Sequence, residues 1–190
     1  MNNGILITDK KDIYYHSGFL GSNGFLIKIK NKIYLFTDPR YKNTAQNLKS
    51  DTIKPVIIDS PDVLKKFVEK QNLNTLTFQE SISYEKYLNF KRAFKKTSFI
   101  RSKGSVAKCR TIKHLWELDL LKKAQEYNQS ILEKVRKSFK VGVTEKQIAK
   151  LIHTYTLDAG LENLSFDPIV AFGKNAANIH HSPTDTKLTN

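Results

Sequence analysis

Two adjacent histidines, His180 and His181, stand in the stretch of this 190-residue chain whose residue types and spacing point most directly to chemistry. A neutral imidazole donates to a carbonyl or accepts from an amide, and its charge changes near neutral pH. The pair follows an apolar run, Pro168 to Phe172, bounded by Pro and Gly, a pattern that predicts a buried strand leading into a polar loop. Buried strands are rigid platforms, so the segment from Ser165 to Asp185 reads as one wall of a pocket. Phe166 and Asn175 are placed to shape that pocket, with core packing and turn formation as equal alternatives. Asp185 is near enough to orient an imidazole, although its place after Pro183 suits a turn. His16, His114 and His153 fall inside predicted elements at unrelated spacings. No upstream cluster of carboxylates and histidines has the spacing of metal ligands.

The elements that must position this loop fall into two groups. The first hundred residues alternate strand-like and helix-like segments, as an α/β domain does. Strands are predicted at Ile13 to Tyr15, Gly24 to Ile29, Ile33 to Thr37, Ile53 to Ile58, Leu76 to Phe78 and Ser98 to Ile100. The second and third of these form a hairpin through Lys30, Asn31 and Lys32, with Asn as the residue that tolerates a left-handed turn. Helices are predicted from Asp38 or Pro39 to Asn47, from a Ser60 cap to Gln71, and from Ser83 to Phe94. Arg101 to Arg110, rich in Gly, Ser and charge without periodicity, reads as a linker. A long helix follows from Ile112 to Phe139, with Ala124, Ile131, Leu132 and Val135 on one stripe. Thr144 and Gln147 form a capping box for a last helix ending near Gly160. Domains of 1–100 and 111–190 joined by a 101–110 linker are therefore expected.

Composition narrows the function classes. The net charge of +14 invites a nucleic-acid reading, but the excess is spread along the chain. Residues 1–100 hold 17 basic and 9 acidic side chains and residues 101–190 hold 15 and 9, a difference of +8 and +6. A binding arm would concentrate the excess, and only five of the cations are Arg, the residue suited to bidentate base contacts. A solvated lysine-rich surface with no specific nucleic-acid partner is the expectation. No apolar run approaches the length that spans a bilayer, which argues against a membrane partner, and a cytoplasmic location is the default. Cys109, the lone cysteine, reads as a small buried residue.

The segment SFDPIVAFGKNAANIHHSPTD, Ser165 to Asp185, resembles the SFDPIVAFGxNAAxPHHxPTD signature of the Xaa-Pro aminopeptidases and prolidases, metallopeptidases of the M24 group with the pita-bread fold. Ser17 to Tyr41 resembles the TGFxGSxGxLxI and LxTDxRY pattern of their amino-terminal domain. Gly18, Gly21, Gly24, Asp38, Arg40 and Tyr41 fall on its positions. IKHLWELDLLKKA, beginning at Ile112, is similar to their entry into the catalytic domain. Where the signature has Pro before the first histidine, this chain has Ile179, and the loop loses a fixed φ angle without losing the imidazole.

The resemblance implies an α/β fold in which a creatinase-like amino-terminal mixed-sheet domain precedes an α+β pita-bread domain that is incomplete here. It implies a metal-dependent Xaa-Pro aminopeptidase, with prolidase as the near variant. Two divalent ions, Mn, Co or Zn, would activate water in the whole enzyme, proline-containing peptides would be the partners, and a homodimer the assembly. His180 inherits a catalytic and substrate-binding role beside the metals, and His181 and Phe166 a substrate-binding one. Metal ligands are expected from acidic residues beyond Asn190 and none from this chain, so the chain alone would be inactive. Residues 101–190 are then expected to expose an apolar sheet face and edge. A metal-free creatinase-like hydrolase and a noncatalytic peptide-binding module remain alternatives. The glycines are expected at tight turns, and Asp38 and Arg40 as a pair fixing a strand end.

Overall fold

The computed structural model describes residues 2–190, apart from the Ser105 side chain, and divides into two compact units, 1–112 and 113–190. The first unit is built on a six-stranded sheet. Its strands are β1 (Asn2–Ile7), β2 (Gly24–Ile29), β3 (Lys32–Thr37), β4 (Ile53–Ile57), β5 (Leu73–Phe78) and β6 (Ser98–Arg101), in the order β4-β3-β2-β1-β5-β6. β1–β2 and β2–β3 are antiparallel, whereas β3–β4, β1–β5 and β5–β6 are parallel. The sheet is therefore mixed, as the creatinase-like reading expects.

Neighbouring residues on a strand point to opposite faces, and here both faces are covered. Leu6, Ile27 and Phe36 pack on one side with Phe67 and Phe90, which come from α3 (Pro61–Gln71) and α4 (Tyr84–Ala93). Ile7, Leu26 and Leu35 pack on the other with Ile13, Ala45 and Val106, from α1 (Lys10–Ser17), α2 (Lys42–Asn47) and α5 (Ser105–Lys108). A sheet buried twice reads as continuous apolar runs, the reason Ile5 to Ile7 and Tyr34 to Phe36 show no polar alternation.

Most of the expected elements form, and the departures have local causes. Ile13 to Tyr15 belongs to α1 rather than to a strand: Asp9 accepts from the Lys11 and Asp12 backbone N–H groups at the start, and Gly18 closes the helix at φ 74. The first strand is β1 instead. In the β2–β3 hairpin the left-handed residue is Lys30, at φ 52, not Asn31. Ser60 occupies the position before Pro61, but its hydroxyl makes no capping bond. Gly18 serves a turn as expected, whereas Gly21 answers to packing, since a Cβ there would run into the ring of Phe19. The segment read as a linker contains α5, buries Val106 and carries Arg110, whose guanidinium meets the buried Asp12 at 2.6 Å. Cys109 is exposed, not buried, and its carbonyl accepts from the Tyr15 hydroxyl.

The second unit consists of α6 (Leu115–Arg136), α7 (Glu145–Asp158), a 3-10 turn over Gly173–Ala177 and extended chain. Its core joins Ile131 and Val135 of α6 to Ile148 of α7, Val170 and Phe172. Ile131 and Val135 lie one helical turn apart and share a face. Leu132 is rotated away and exposed, and Ala124 is also exposed, so the four-residue stripe is half right. Pro168 to Phe172 is extended but is not a strand, because none of the described residues offers it a ladder. The exposed apolar side chains include Leu115, Trp116, Leu118, Leu120 and Leu121, distributed around the first turns of α6, together with Phe166 and Ile169. Among the described residues no helix is long and apolar enough to cross a membrane.

Candidate functional site

The loop that carries the two histidines is organised by Glu145, the first residue of α7. Its neighbours explain why the helix begins there. Thr144 accepts from the Gln147 backbone N–H at 3.1 Å, and the Gln147 side chain accepts from the Thr144 N–H at 2.9 Å, the reciprocal cap expected from the sequence. A carboxylate in the first helical turn also meets the positive end of the helix dipole. Thr184 to Leu188 folds back beside this start: Glu145 and Lys146 donate their backbone N–H groups to the carbonyls of Thr186 and Thr184.

Glu145 itself is 0% exposed. Its Oε1 accepts from the Phe172 N–H at 2.7 Å and from Asn175 Nδ2 at 2.9 Å. Its Oε2 accepts from the Thr184 N–H at 2.8 Å, from Thr184 Oγ1 at 2.7 Å and from His181 Nε2 at 2.8 Å. Burial alone pushes the carboxyl up, but the donors from Asn175, His181, Phe172 and Thr184 outweigh it and hold the group well below the usual carboxylate range. Since an ionised carboxylate only accepts, His181 Nε2 carries the proton in this contact, and a neutral ring keeps Nδ1 as an acceptor.

His181 is thus largely buried, its side chain 11% exposed, and bound into the unit. His180 is exposed; its backbone N–H donates to Asn178 Oδ1 at 3.1 Å, and no hydrogen bond from its ring occurs among the described residues. The two imidazoles are therefore unlike: one is fixed, and its neighbour is presented to solvent on the fixed loop. Phe166 is 73% exposed and lines an open cleft of about 500 Å3 with Ala149, His153, Asn163 and Asp167; neither histidine of the pair is in that lining. Asn175 shapes the loop through Glu145 and also reaches Thr186 Oγ1 at 3.1 Å. Asp185 orients no imidazole and pairs with Lys146 at 2.7 Å in an exposed contact.

In the first unit Asp38 and Arg40 do pair, with Arg40 Nε and Nη2 donating to the two carboxylate oxygens at 2.9 and 2.8 Å. That guanidinium, with the Asn23 amide, holds the Asp38 carboxyl well below its ordinary range. The contact closes the end of β3, a local role.

Residues 3–112 match the model of the Creatinase/Prolidase N-terminal domain, more than half of the chain. The chain belongs to the creatinase/prolidase family. Residues 119–190 match Metallopeptidase family M24, so the creatinase/prolidase assignment extends to both units. An Xaa-Pro dipeptidase from Bacillus anthracis superposes with a TM-score of 0.89 at 26% identity, covering 98% of this chain and 53% of its own. An X-Pro aminopeptidase from Thermotoga maritima gives 0.88 at 28% identity, covering 98% and 55%. A Mycoplasma genitalium protein provisionally named an Xaa-Pro aminopeptidase is 30% identical over 182 residues, 96% of this chain and 51% of its own length. The creatinase/prolidase chain thus spans about half the length of the curated relatives it matches.

Among the described residues no group of three His, Cys, Asp or Glu side chains converges. Glu145 and His181 bind each other, with Thr184, Asn175 and the Phe172 N–H filling the carboxylate. The carboxylate's accepting capacity is spent on holding the loop.

Proposed function

We propose that this chain serves a metal-dependent Xaa-Pro aminopeptidase, which releases the amino-terminal residue in front of proline from peptides. Its relatives are peptidases, and several that align across almost the whole chain are named for Xaa-Pro bonds. The observation that carries the reading is the His180–His181 loop: one imidazole exposed on a loop whose backbone is fixed from within by a buried carboxylate. Such a loop holds an exposed donor or acceptor at a set position, which is what a peptide-binding group needs. In this reading His180 contacts the peptide, His181 backs it, and Phe166 lines the approach. Manganese, cobalt or zinc, two ions to a site, would supply water activation.

The test is hydrolysis of Xaa-Pro-Yaa peptides by the protein in its cellular form, with and without chelator and with Mn, Co or Zn restored. Cleavage before proline that chelator removes is expected. No cleavage with any of the three metals overturns the proposal, and tight peptide association without turnover would assign the chain to a noncatalytic binding module. Parallel assay of Xaa-Pro dipeptides separates aminopeptidase from dipeptidase. His180→Ala is expected to lower kcat/KM by roughly 100-fold, the order of loss when a positioning contact is removed, while leaving the fold unchanged.

A further inference from the structure

We infer that Glu145 is a positioning residue for the peptide site: through its carboxylate it sets the tautomer of His181 and the shape of the loop that presents His180. The inference rests on the Xaa-Pro peptidase reading for its functional consequence, but its physical content stands on the contacts of the second unit alone.

Glu145 reaches four residues lying 27 to 39 positions away in sequence, Phe172, Asn175, His181 and Thr184. Phe172 precedes the 3-10 turn and Thr184 follows the histidines, so both ends of the loop and two points within it converge on one side chain. Backbone bonds from the His181 N–H and the Asn178 N–H to the carbonyls of Asn178 and Asn175 then complete the turn on which His180 sits. Among the described residues nothing else fully buried in this unit is charged.

The side-chain type matters. All five contacts are donors pointing inward, and only a group with two acceptor oxygens and no hydrogen satisfies them together. Glutamine offers one oxygen and turns an NH2 toward two donors, leaving buried N–H groups unmet. Aspartate is one methylene shorter and cannot reach both ends of the loop from the same backbone position. A buried carboxylate is costly to place and is tolerated only when hydrogen-bonded on every side. That cost has a use here: a ring bonded to an acceptor-only partner is held as the Nε2–H form, with its orientation fixed, and the adjacent His180 inherits a defined backbone. Glu145 touches no substrate in this scheme, which makes it a positioning residue rather than a catalytic one.

Two measurements test this. The first needs no variant: side-chain nitrogen NMR of the histidines in the wild-type chain, at a pH where the rings are neutral. The Nε2–H tautomer with slow solvent exchange is expected for His181; a dominant Nδ1–H form or a rapidly averaging ring overturns the inference. The second compares Glu145→Gln with Lys146→Ala in the active protein. Glu145→Gln is expected to lose the protected His181 proton and to lower kcat/KM for an Xaa-Pro peptide by roughly 100-fold. Lys146→Ala, which breaks only an exposed pair to the same loop, is expected to stay within about twofold. A folded Glu145→Gln protein with the His181 signal and both kinetic constants intact overturns the inference. Wild-type protein that cleaves no Xaa-Pro peptide would remove the peptidase reading instead, and the NMR result would still decide the role of Glu145. If Glu145→Gln does not fold, the wild-type tautomer alone decides.

Discussion

Among the described residues each unit buries one carboxylate, and the two are satisfied in opposite ways. Asp12 in the first unit is met by Arg110 Nε at 2.6 Å and by the Gln79 amide, whose Nε2 donates at 2.5 Å, and Gln79 Oε1 in turn accepts from the backbone N–H groups of Thr8 and Asp9. Glu145 in the second unit has no guanidinium and is held by two backbone N–H groups, an amide, a hydroxyl and an imidazole. A charge answered by a charge ties two segments together at one point, here the end of the 101–110 segment to α1. A charge answered by several neutral dipoles instead fixes the shape of everything that supplies them. The first arrangement fastens a domain; the second sculpts a loop, and the loop is where the exposed histidine stands.

The comparison predicts unequal losses. Glu145→Ala leaves four residues' donors without their acceptor, so the thermal midpoint of the second unit is expected to fall by about 10 °C or more, followed by circular dichroism. A fall of only a few degrees would mean the loop does not depend on the carboxylate. Asp12→Ala, where Arg110 is partly exposed and regains water, is expected to cost about 2 kcal/mol in chemical denaturation. A loss exceeding that of Glu145→Ala would reverse the comparison.

Acid sharpens the contrast further. Because the folded Glu145 carboxyl is held below its ordinary value of 4.5, its contribution is fully present above that pH and drains away as pH falls below it. Thermal midpoints of the second unit recorded from pH 6 down to pH 3 are expected to decline, and Glu145→Gln to flatten the slope. His181→Ala should cost the fold more than His180→Ala, since only His181 is bound inward; equal losses would contradict the unlike roles of the pair. The smallest effect belongs to Arg40→Ala, whose exposed side chain is expected to shift the midpoint by less than about 2 °C.

Much of the fold was legible in the sequence because local signals and tertiary demand agreed. The β2–β3 hairpin has β-rich arms around a short polar turn, and Thr144 with Gln147 announces a helix start that forms as expected. Where they disagreed, the cap won over the propensity: Ile13, Tyr14 and Tyr15 favour a strand, but Asp9 and Gly18 bracket them as a helix. Pro168 to Phe172 shows the reverse limit, since an apolar run predicts burial, and Val170 and Phe172 are buried, but a strand also needs a partner. The histidine pair drew attention by its adjacency. Glu145 did not, because at the start of a capped helix an acidic residue looks like a routine dipole partner, and its donors lie dozens of residues away. The one available hint was that Asn175 and Thr184, both able to donate, flank the histidines.

The order of the sheet has a consequence for how copies of the first unit meet. Its outermost strands are β4, interrupted by Pro55, and β6, only four residues long and ending in Arg101. Pro supplies no amide hydrogen, and a short cationic rim offers little for a foreign chain to zip onto. Runaway polymerisation by strand addition is thereby discouraged at both rims.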